Sequence, residues 1–375
     1  METMVSLLNA ALLAIAILGC LMFIITPAYR GVCLLLGLVS LAAIINLLED
    51  FNISRELHLI SPVFVLGYGP AFYFATKRLI AGPIGYYPLL HFLPMLLLLP
   101  FTAHTQTVIA LGTLWRVGYA LATLKLIIEF NRQLSLQRSD ASEVSLTWLA
   151  GLVGVSTLFS AVDLVRLNFQ LEIGPTWNTI GYTASAGIFF VVLLLLILIL
   201  NYRRAGLETI ADSTARTPSP EIKQFDPQPS AHTKKDEESA ADYQSLFTFL
   251  DGQIAAQKWY SLPRLTLNQL SDLSGMSTRD ISRSINLVAG VSFNDYINQL
   301  RIEQIKQTLE KNNAERGSED KLNLTNLALS AGFSSKATFN QTFKKATGMT
   351  PSEYRRTKAS QQIQNHDSGH LVSGD

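Results

Sequence analysis

The sequence predicts an all-α protein in two parts: an N-terminal seven-helix transmembrane bundle and a C-terminal domain of two helix-turn-helix units. Three observations predict it. Apolar runs of span length fill residues 4–200 and then stop. Short amphipathic repeats at helical spacing, separated by Gly, Ser and Asn turns, fill residues 242–358. Strand alternation does not persist in residues 242–358.

The chain has 375 residues, room for two or three domains. Hydrophobic residues make up 48%, almost all of the excess lying in the first half, so the net charge of +1 averages two unlike halves. Cys20 and Cys33 both lie in apolar runs and read as small buried hydrophobes. The N-terminus has no basic leader and runs apolar from the start, so the first run reads as a span and not as a cleaved signal. No nucleophile–base set, metal-ligand cluster or phosphate-binding glycine loop is visible. No catalytic residue, metal or cofactor is therefore assigned, and an enzyme is not expected.

The seven expected spans are Met4–Thr26, Gly31–Leu48, Leu57–Thr76, Ile84–Ala103, Val108–Phe130, Ser145–Asn168 and Trp177–Leu200. The second is short. The fourth carries Pro88, Pro94 and Pro100, which kink it. Odd-numbered connections hold Arg30, then Lys77 and Arg78, then Arg132 and Arg138, and Arg203 and Arg204 follow the last span; even-numbered connections hold only Arg55. Basic residues concentrate on the cytoplasmic side, so the N-terminus is expected outside and everything after Leu200 inside. Charges within spans are costly and point to function. Arg116 and Asp163 lie at similar depth, as a structural ion pair or as part of a ligand site. Lys125 and Glu129 lie near the inner end and snorkel, and His91 reads as a packing histidine. Gly151 and Gly154 offer a small-residue face for a homodimer.

Residues 1–204 are thus read as a membrane module and 205–241 as a flexible linker, rich in Pro and charge and poor in apolar residues. Residues 242–358 form the next domain and 359–375 a disordered tail. In residues 242–358, fifteen basic side chains face eleven acidic ones, so placement matters more than net charge. In the first unit Leu267, Leu270 and Leu273 form a stripe, Gly275 and Met276 turn the chain, and Ser277 caps a helix with Asp280 three residues on. Ile281, Ile285 and Val288 face inward, leaving Arg279, Ser282, Arg283 and Asn286 outward. In the second unit Leu324, Leu327, Ala328 and Ala331 support a turn at Gly332, and Ser334 or Ser335 caps the next helix. Phe339, Phe343 and Ala346 are expected inward, and Lys336, Ala337, Asn340, Gln341 and Lys344 outward. Such a face, on the second helix of a pair, suits the major groove of double-stranded DNA. A helix from Phe293 to about Lys311 connects the units.

These stretches resemble the AraC/XylS family of bacterial transcription regulators over roughly Leu262–Arg356. The resemblance rests on Gly290–Ile302 (GVSFNDYINQLRI), Ala331–Lys345 (AGFSSKATFNQTFKK) and Gly348–Arg355 (GMTPSEYR). Ile281–Asn286 (ISRSIN) is similar to the variant joined to multi-span membrane modules. The resemblance implies an AraC-type double helix-turn-helix domain. It puts Arg279, Ser282, Arg283, Lys336, Ala337, Asn340 and Gln341 at the bases; Thr278, Ser335, Lys344 and Lys345 are expected at the phosphates. The sequence departs from the family pattern at Gln341, where arginine is usual, at Ile305, where alanine is usual, and over the long segment Lys311–Lys321.

The expected function is a one-component sensor in a bacterial inner membrane: a multi-pass protein with a cytoplasmic DNA-binding domain, acting as an activator that contacts RNA polymerase. Its signal is an unknown ligand or protein. The alternatives are a membrane enzyme or transporter with a regulatory DNA-binding tail, and an inert anchor whose regulator is released by proteolysis.

Overall fold

The structure is a computed structural model. It describes residues 2–53, 59–82, 85, 87–169, 172, 174–216, 235–316, 323–358 and 360. Among these the regular structure is helical throughout, apart from one isolated bridge between Arg138 and Thr266. The chain divides into two compact units. One comprises residues 1–130 and 146–224; the other comprises residues 131–145 and 225–375.

The first unit holds α1 (Glu2–Phe23), α2 (Arg30–Asp50), α3 (Phe64–Ala81), α4 (Leu93–Leu98), most of α5 (Thr105–Gln137), α7 (Thr147–Asn168) and α8 (Gly174–Arg216). The short helix α6 (Ala141–Val144) falls in the other unit. Among the described residues, five stretches are long and apolar enough to cross a membrane: Met4–Phe23, Pro27–Asp50, Tyr87–Gln137, Ala141–Asn168 and Thr176–Arg204. Of the seven expected spans, the third and fourth are not separate members of these five, for different reasons. The third span is a helix, α3, but Tyr, Gly and Pro residues and the pair Lys77-Arg78 dilute its hydropathy. The fourth is no independent helix. Pro94 and Pro100 each stand at the start of a new segment, so the stretch breaks into a 3-10 turn (Tyr87–Phe92), α4, and a second 3-10 turn (Leu99–His104) that runs into α5. A proline lacks the N–H of a continuing helix and clashes with the preceding turn.

Leu21, Leu34, Leu114, Leu121, Leu158 and Leu198 stand exposed around the outside of these helices. Polar contacts inside the unit sort by charge. Arg204 donates to Thr26 Oγ1 at 2.7 Å, and Arg78 donates to the Pro27 carbonyl at 3.3 Å. The α1–α2 turn, the end of α3 and the end of the apolar part of α8 therefore meet at one basic end. Elsewhere in the unit, Asp50 accepts from Ser6 and Asn9, and Glu49 accepts from the N–H groups of Ile60 and Ser61 at 2.6 and 2.9 Å. Arg55, the one basic residue expected on that side, lies outside the described residues. His91 hydrogen-bonds the Tyr119 hydroxyl and packs on Phe74, as a packing histidine does. Cys20 and Cys33 are free thiols facing each other's carbonyls across α1 and α2. A Cβ added at Gly151 or Gly154 would meet nothing, so both face open space.

The segment expected as linker is helical at both ends. α8 continues to Arg216 and α9 (Lys235–Gln257) begins before residue 242. Residues 217–234 and almost all of the tail from 359 lie outside the described residues.

In the second unit, α9 packs on α10 (Leu267–Ser274), α11 (Thr278–Ser284) and a π-turn (Ile285–Ala289). Leu250, Ile254, Leu265, Leu270, Ile281, Ile285, Phe293 and Ile297 form their shared core. The connecting helix α12 (Phe293–Arg316) is longer than expected; its 24 residues span about 36 Å at 1.5 Å per residue. Its second half packs Ile302, Ile305 and Leu309 against α13 (Leu324–Ser330) and α14 (Lys336–Thr347) around Phe333, Phe339 and Phe343. Ile305, fully buried, fills the place where the family pattern has a small alanine. Two expected core positions are corrected. Leu273 is 45% exposed and Ala346 is exposed, because the short α10 and the last turn of α14 reach past the core they cover.

Candidate functional sites

Both helix pairs are built by capping. Thr266 and Gln269 form a reciprocal capping box at the start of α10. Gly275, at φ 71°, ends α10 in the left-handed region, and Ser277 accepts from the Asp280 N–H at 3.1 Å to start α11. In the second pair Asn323 caps α13, and Ser335, rather than Ser334, caps α14 by accepting from the Thr338 N–H at 3.2 Å. These caps satisfy helix-end N–H groups and fix which residues face outward.

The predicted base-reading residues lie on two faces. On α11, Arg279 is exposed, Ser282 and Arg283 are half-buried, and the Arg283 guanidinium stacks over the Tyr243 ring of α9 at 5.4 Å. On α14, Lys336, Ala337, Asn340 and Gln341 are all exposed. Of the predicted phosphate contacts, Lys344 is exposed, Thr278 and Ser335 are half-buried at their helix starts, and Lys345 pairs with Asp295 at 3.0 Å.

Between these faces stands Arg301, 1% exposed. It donates to the carbonyls of Tyr260 (2.7 Å) and Leu262 (2.8 Å), to Asn298 Oδ1 and to Ser139 Oγ, and its guanidinium lies over the Phe333 ring. Burial lowers its pKa to about 10, against the opposing pull of Asp140 and Glu143, so it stays charged at neutral pH. Gly332, at φ 97°, closes on the same turn: a Cβ there would sit 2.7 Å from the Ser261 carbonyl oxygen. Arg301 and Gly332 thus lock the second helix pair to the turn preceding the first. Arg301 lies within the Gly290–Ile302 stretch that carries the resemblance, where nothing local marks it as buried.

The chain between α5 and α7 also belongs to this unit. Ser139 donates its N–H to the Leu265 carbonyl at 3.0 Å, and its own carbonyl accepts from Asn298 at 3.1 Å. Arg138 holds Asp140 through two bonds of 2.8 and 3.0 Å. Glu143, on α6, accepts from Thr338 Oγ1 at 2.8 Å, in the first turn of α14. No local pattern in residues 138–143 announces these contacts.

In the first unit Arg116 and Asp163 do not bond each other, which corrects the ion-pair expectation. Arg116 donates to the Ser156 hydroxyl and lies over the Tyr68 ring at 5.6 Å. Asp163 pairs with Arg166 at 2.8 Å and accepts from Ser185 at 3.3 Å. Arg166, one turn along the same helix, reaches Asp163 where Arg116, on another helix, does not. Both residues nevertheless line one cavity of about 190 Å³. Among the described residues no group of three metal-ligating side chains is assembled.

Residues 270–357 match the helix-turn-helix domain family. This part of the chain is a helix-turn-helix domain of the AraC type. Over 107 residues the chain is 35% identical to an uncharacterized HTH-type transcriptional regulator of Staphylococcus aureus (strain COL), covering 28% of this chain and 13% of that protein. Over 102 residues it is 28% identical to the bifunctional transcriptional activator/DNA repair enzyme AdaA of Bacillus subtilis (strain 168), covering 27% of this chain and 44% of that protein. The chain therefore spans only a minor part of the curated relatives it matches. No solved structure matches the chain.

Proposed function

We propose that the protein is a membrane-bound, sequence-specific transcription regulator whose hold on DNA is set by its N-terminal helices. The observation that carries DNA binding is the pair of capped helices, α11 and α14, presenting Arg279, Lys336, Asn340 and Gln341 outward within an AraC-type domain. Such side chains bind base edges: arginine suits guanine, and Asn and Gln suit adenine. Ser282, Arg283 and Ala337 complete the proposed base contacts, and Thr278, Ser335, Lys344 and Lys345 the phosphate contacts. The partner is double-stranded DNA read in the major groove, with RNA polymerase recruited at the promoter. Genome-wide mapping of DNA bound by the intact protein tests this reading: discrete sites sharing a motif are expected, and uniform background refutes it.

Residence in a membrane is supported by five stretches of span length with exposed leucines, a surface that lipid solvates and water does not. Basic residues at the meeting ends of α1, α3 and α8 support a cytoplasmic C-terminal domain. Fusing an activity reporter after Arg216 checks the topology.

Control by the N-terminal helices is supported by the segment 131–145. It is continuous in the chain with α5 and α7, and it is bonded into the DNA-binding unit through Ser139 and Glu143. On this reading, a movement of either helix reaches the start of α14 through that segment. Replacing the N-terminal helices with one unrelated span is expected to abolish regulation; unchanged regulation refutes a sensing role.

A further inference from the structure

We propose that the cavity among α1, α2, α3, α5, α7 and α8 binds a small organic anion whose carboxylate is taken by Arg116. The inference rests on the sensing role above and names the chemical class of the signal.

Arg116 is 6% exposed and lines the cavity. Its partners are the Ser156 hydroxyl and the face of the Tyr68 ring. Neither carries a negative charge, and together they leave most of the guanidinium's donor capacity unused. A charge buried among apolar helices without a counter-ion is costly. Among the described residues lining the cavity, Asp163 is the only acid, and it is already paired with Arg166. The cavity therefore holds one uncompensated positive charge, and an anionic group entering it supplies what the fold does not.

The walls restrict the rest of the ligand. Leu12, Val39, Phe159 and Phe189 give apolar surface, while Asn46 and Tyr182 give polar side chains. At about 190 Å³ the space is somewhat larger than an engineered apolar cavity of about 150 Å³ that takes up benzene. A single ring or short aliphatic chain bearing one carboxylate fits; a nucleotide does not. Planar pairing of guanidinium with carboxylate gives the orientation.

The test uses the full-length protein in lipid nanodiscs. Benzoate, phenylacetate and hexanoate are each compared with the amide of the same shape by their stabilisation against thermal unfolding. In at least one pair the acid is expected to bind at least tenfold more tightly than its amide. Arg116→Gln should erase that preference and Arg116→Lys should retain it. If Arg116→Gln fails to fold, Ala186→Phe fills the cavity with Arg116 in place, and acid binding should disappear there too. Equal binding of acids and amides, no binding of any acid, or a preference that survives Arg116→Gln or Ala186→Phe overturns the proposal. The sensing role has its own test in the replaced helices, so the two fail separately.

Discussion

Replacing Glu143 by Gln is expected to tighten binding of the intact protein to its DNA site about fivefold. The Glu143 carboxylate accepts from Thr338 Oγ1 at 2.8 Å, in the first turn of α14, beside Ser335 and Lys336. A helix N-terminus favours an anion, and in the DNA complex that anion is expected to be a phosphate. The two compete. A hydrogen bond to a charged group contributes about 1.5–3 kcal/mol when buried. Glu143 is only partly buried, so solvent screening cuts this to about 1 kcal/mol. If DNA must displace the bond, that energy reduces the binding-competent fraction about fivefold and weakens the apparent affinity by the same factor. Thr338→Val removes the donor while the Ser335 cap to the backbone N–H remains, so it should act in the same direction. The double variant should gain no more than Thr338→Val alone, because the amide at position 143 only weakens the bond whose donor Thr338→Val removes. Fluorescence anisotropy on a labelled duplex, with the protein in nanodiscs at fixed salt, measures all four forms. Unchanged or weaker binding for Glu143→Gln, or additive gains in the double variant, refutes the competition.

Three other outcomes are expected. Arg283→Ala should cost about 1–3 kcal/mol and relax preference at one base pair, whereas Lys344→Ala should weaken all duplexes alike and lower the salt slope by about one; competition with random DNA separates the two. Gly332→Ala should destabilise the second unit by about 3 kcal/mol, since a positive φ and a backbone clash with Ser261 add; urea unfolding followed at Trp259 measures it. The Glu353 carboxylate accepts from the Thr350 N–H and hydroxyl at 2.8 Å each, which holds its pKa below the ordinary carboxylate value. A folded-state pKa below the unfolded one gives stability that is full above the unfolded value and lost as pH falls through the folded value. Glu353→Ala should therefore lower the stability of residues 351–358 at neutral pH and change nothing in strong acid, as read by circular dichroism across an acid titration.

The capped helices were legible because their signals are local. Ser277 with Asp280, Gly275, Gly332 and Ser335 lie within a few residues of what they control, and the outward faces of α11 and α14 follow from helical period alone. The broken fourth span was half-legible: Pro88, Pro94 and Pro100 announced kinks, but kinks and full interruption look alike in sequence. Which cation meets Asp163 depends on how helices rotate about their own axes, which similar depth does not fix; Arg166 took the place assigned to Arg116. The contacts of Ser139 and Glu143 were hidden because Ser-Asp-Ala-Ser-Glu is an ordinary polar connection, and its partners Arg301 and Thr338 lie more than 150 residues away. Arg301 was hidden for a related reason, since burial of a long cation is a property of what surrounds it.

Two chain segments connect the helical bundle to the DNA-binding unit, and they suit different tasks. The segment after α8 is rich in proline and charge. The connection between α5 and α7 is short and bonded at both Ser139 and Glu143. α5 is continuous from Thr105 to Gln137, so Arg116 and the start of this connection lie on one helix, about 30 Å apart at 1.5 Å per residue. On the proposed sensing role, a displacement of Arg116 by a bound anion is expected to reach Glu143 and the start of α14 along this connection. Inserting four Gly and Ser residues between Gln137 and Arg138 breaks that path while leaving the cavity and the DNA face intact. Such a protein should bind the acid and bind DNA, yet show no change in DNA affinity when the acid is added. If the inserted form responds as the original does, the signal travels through the segment after α8 instead.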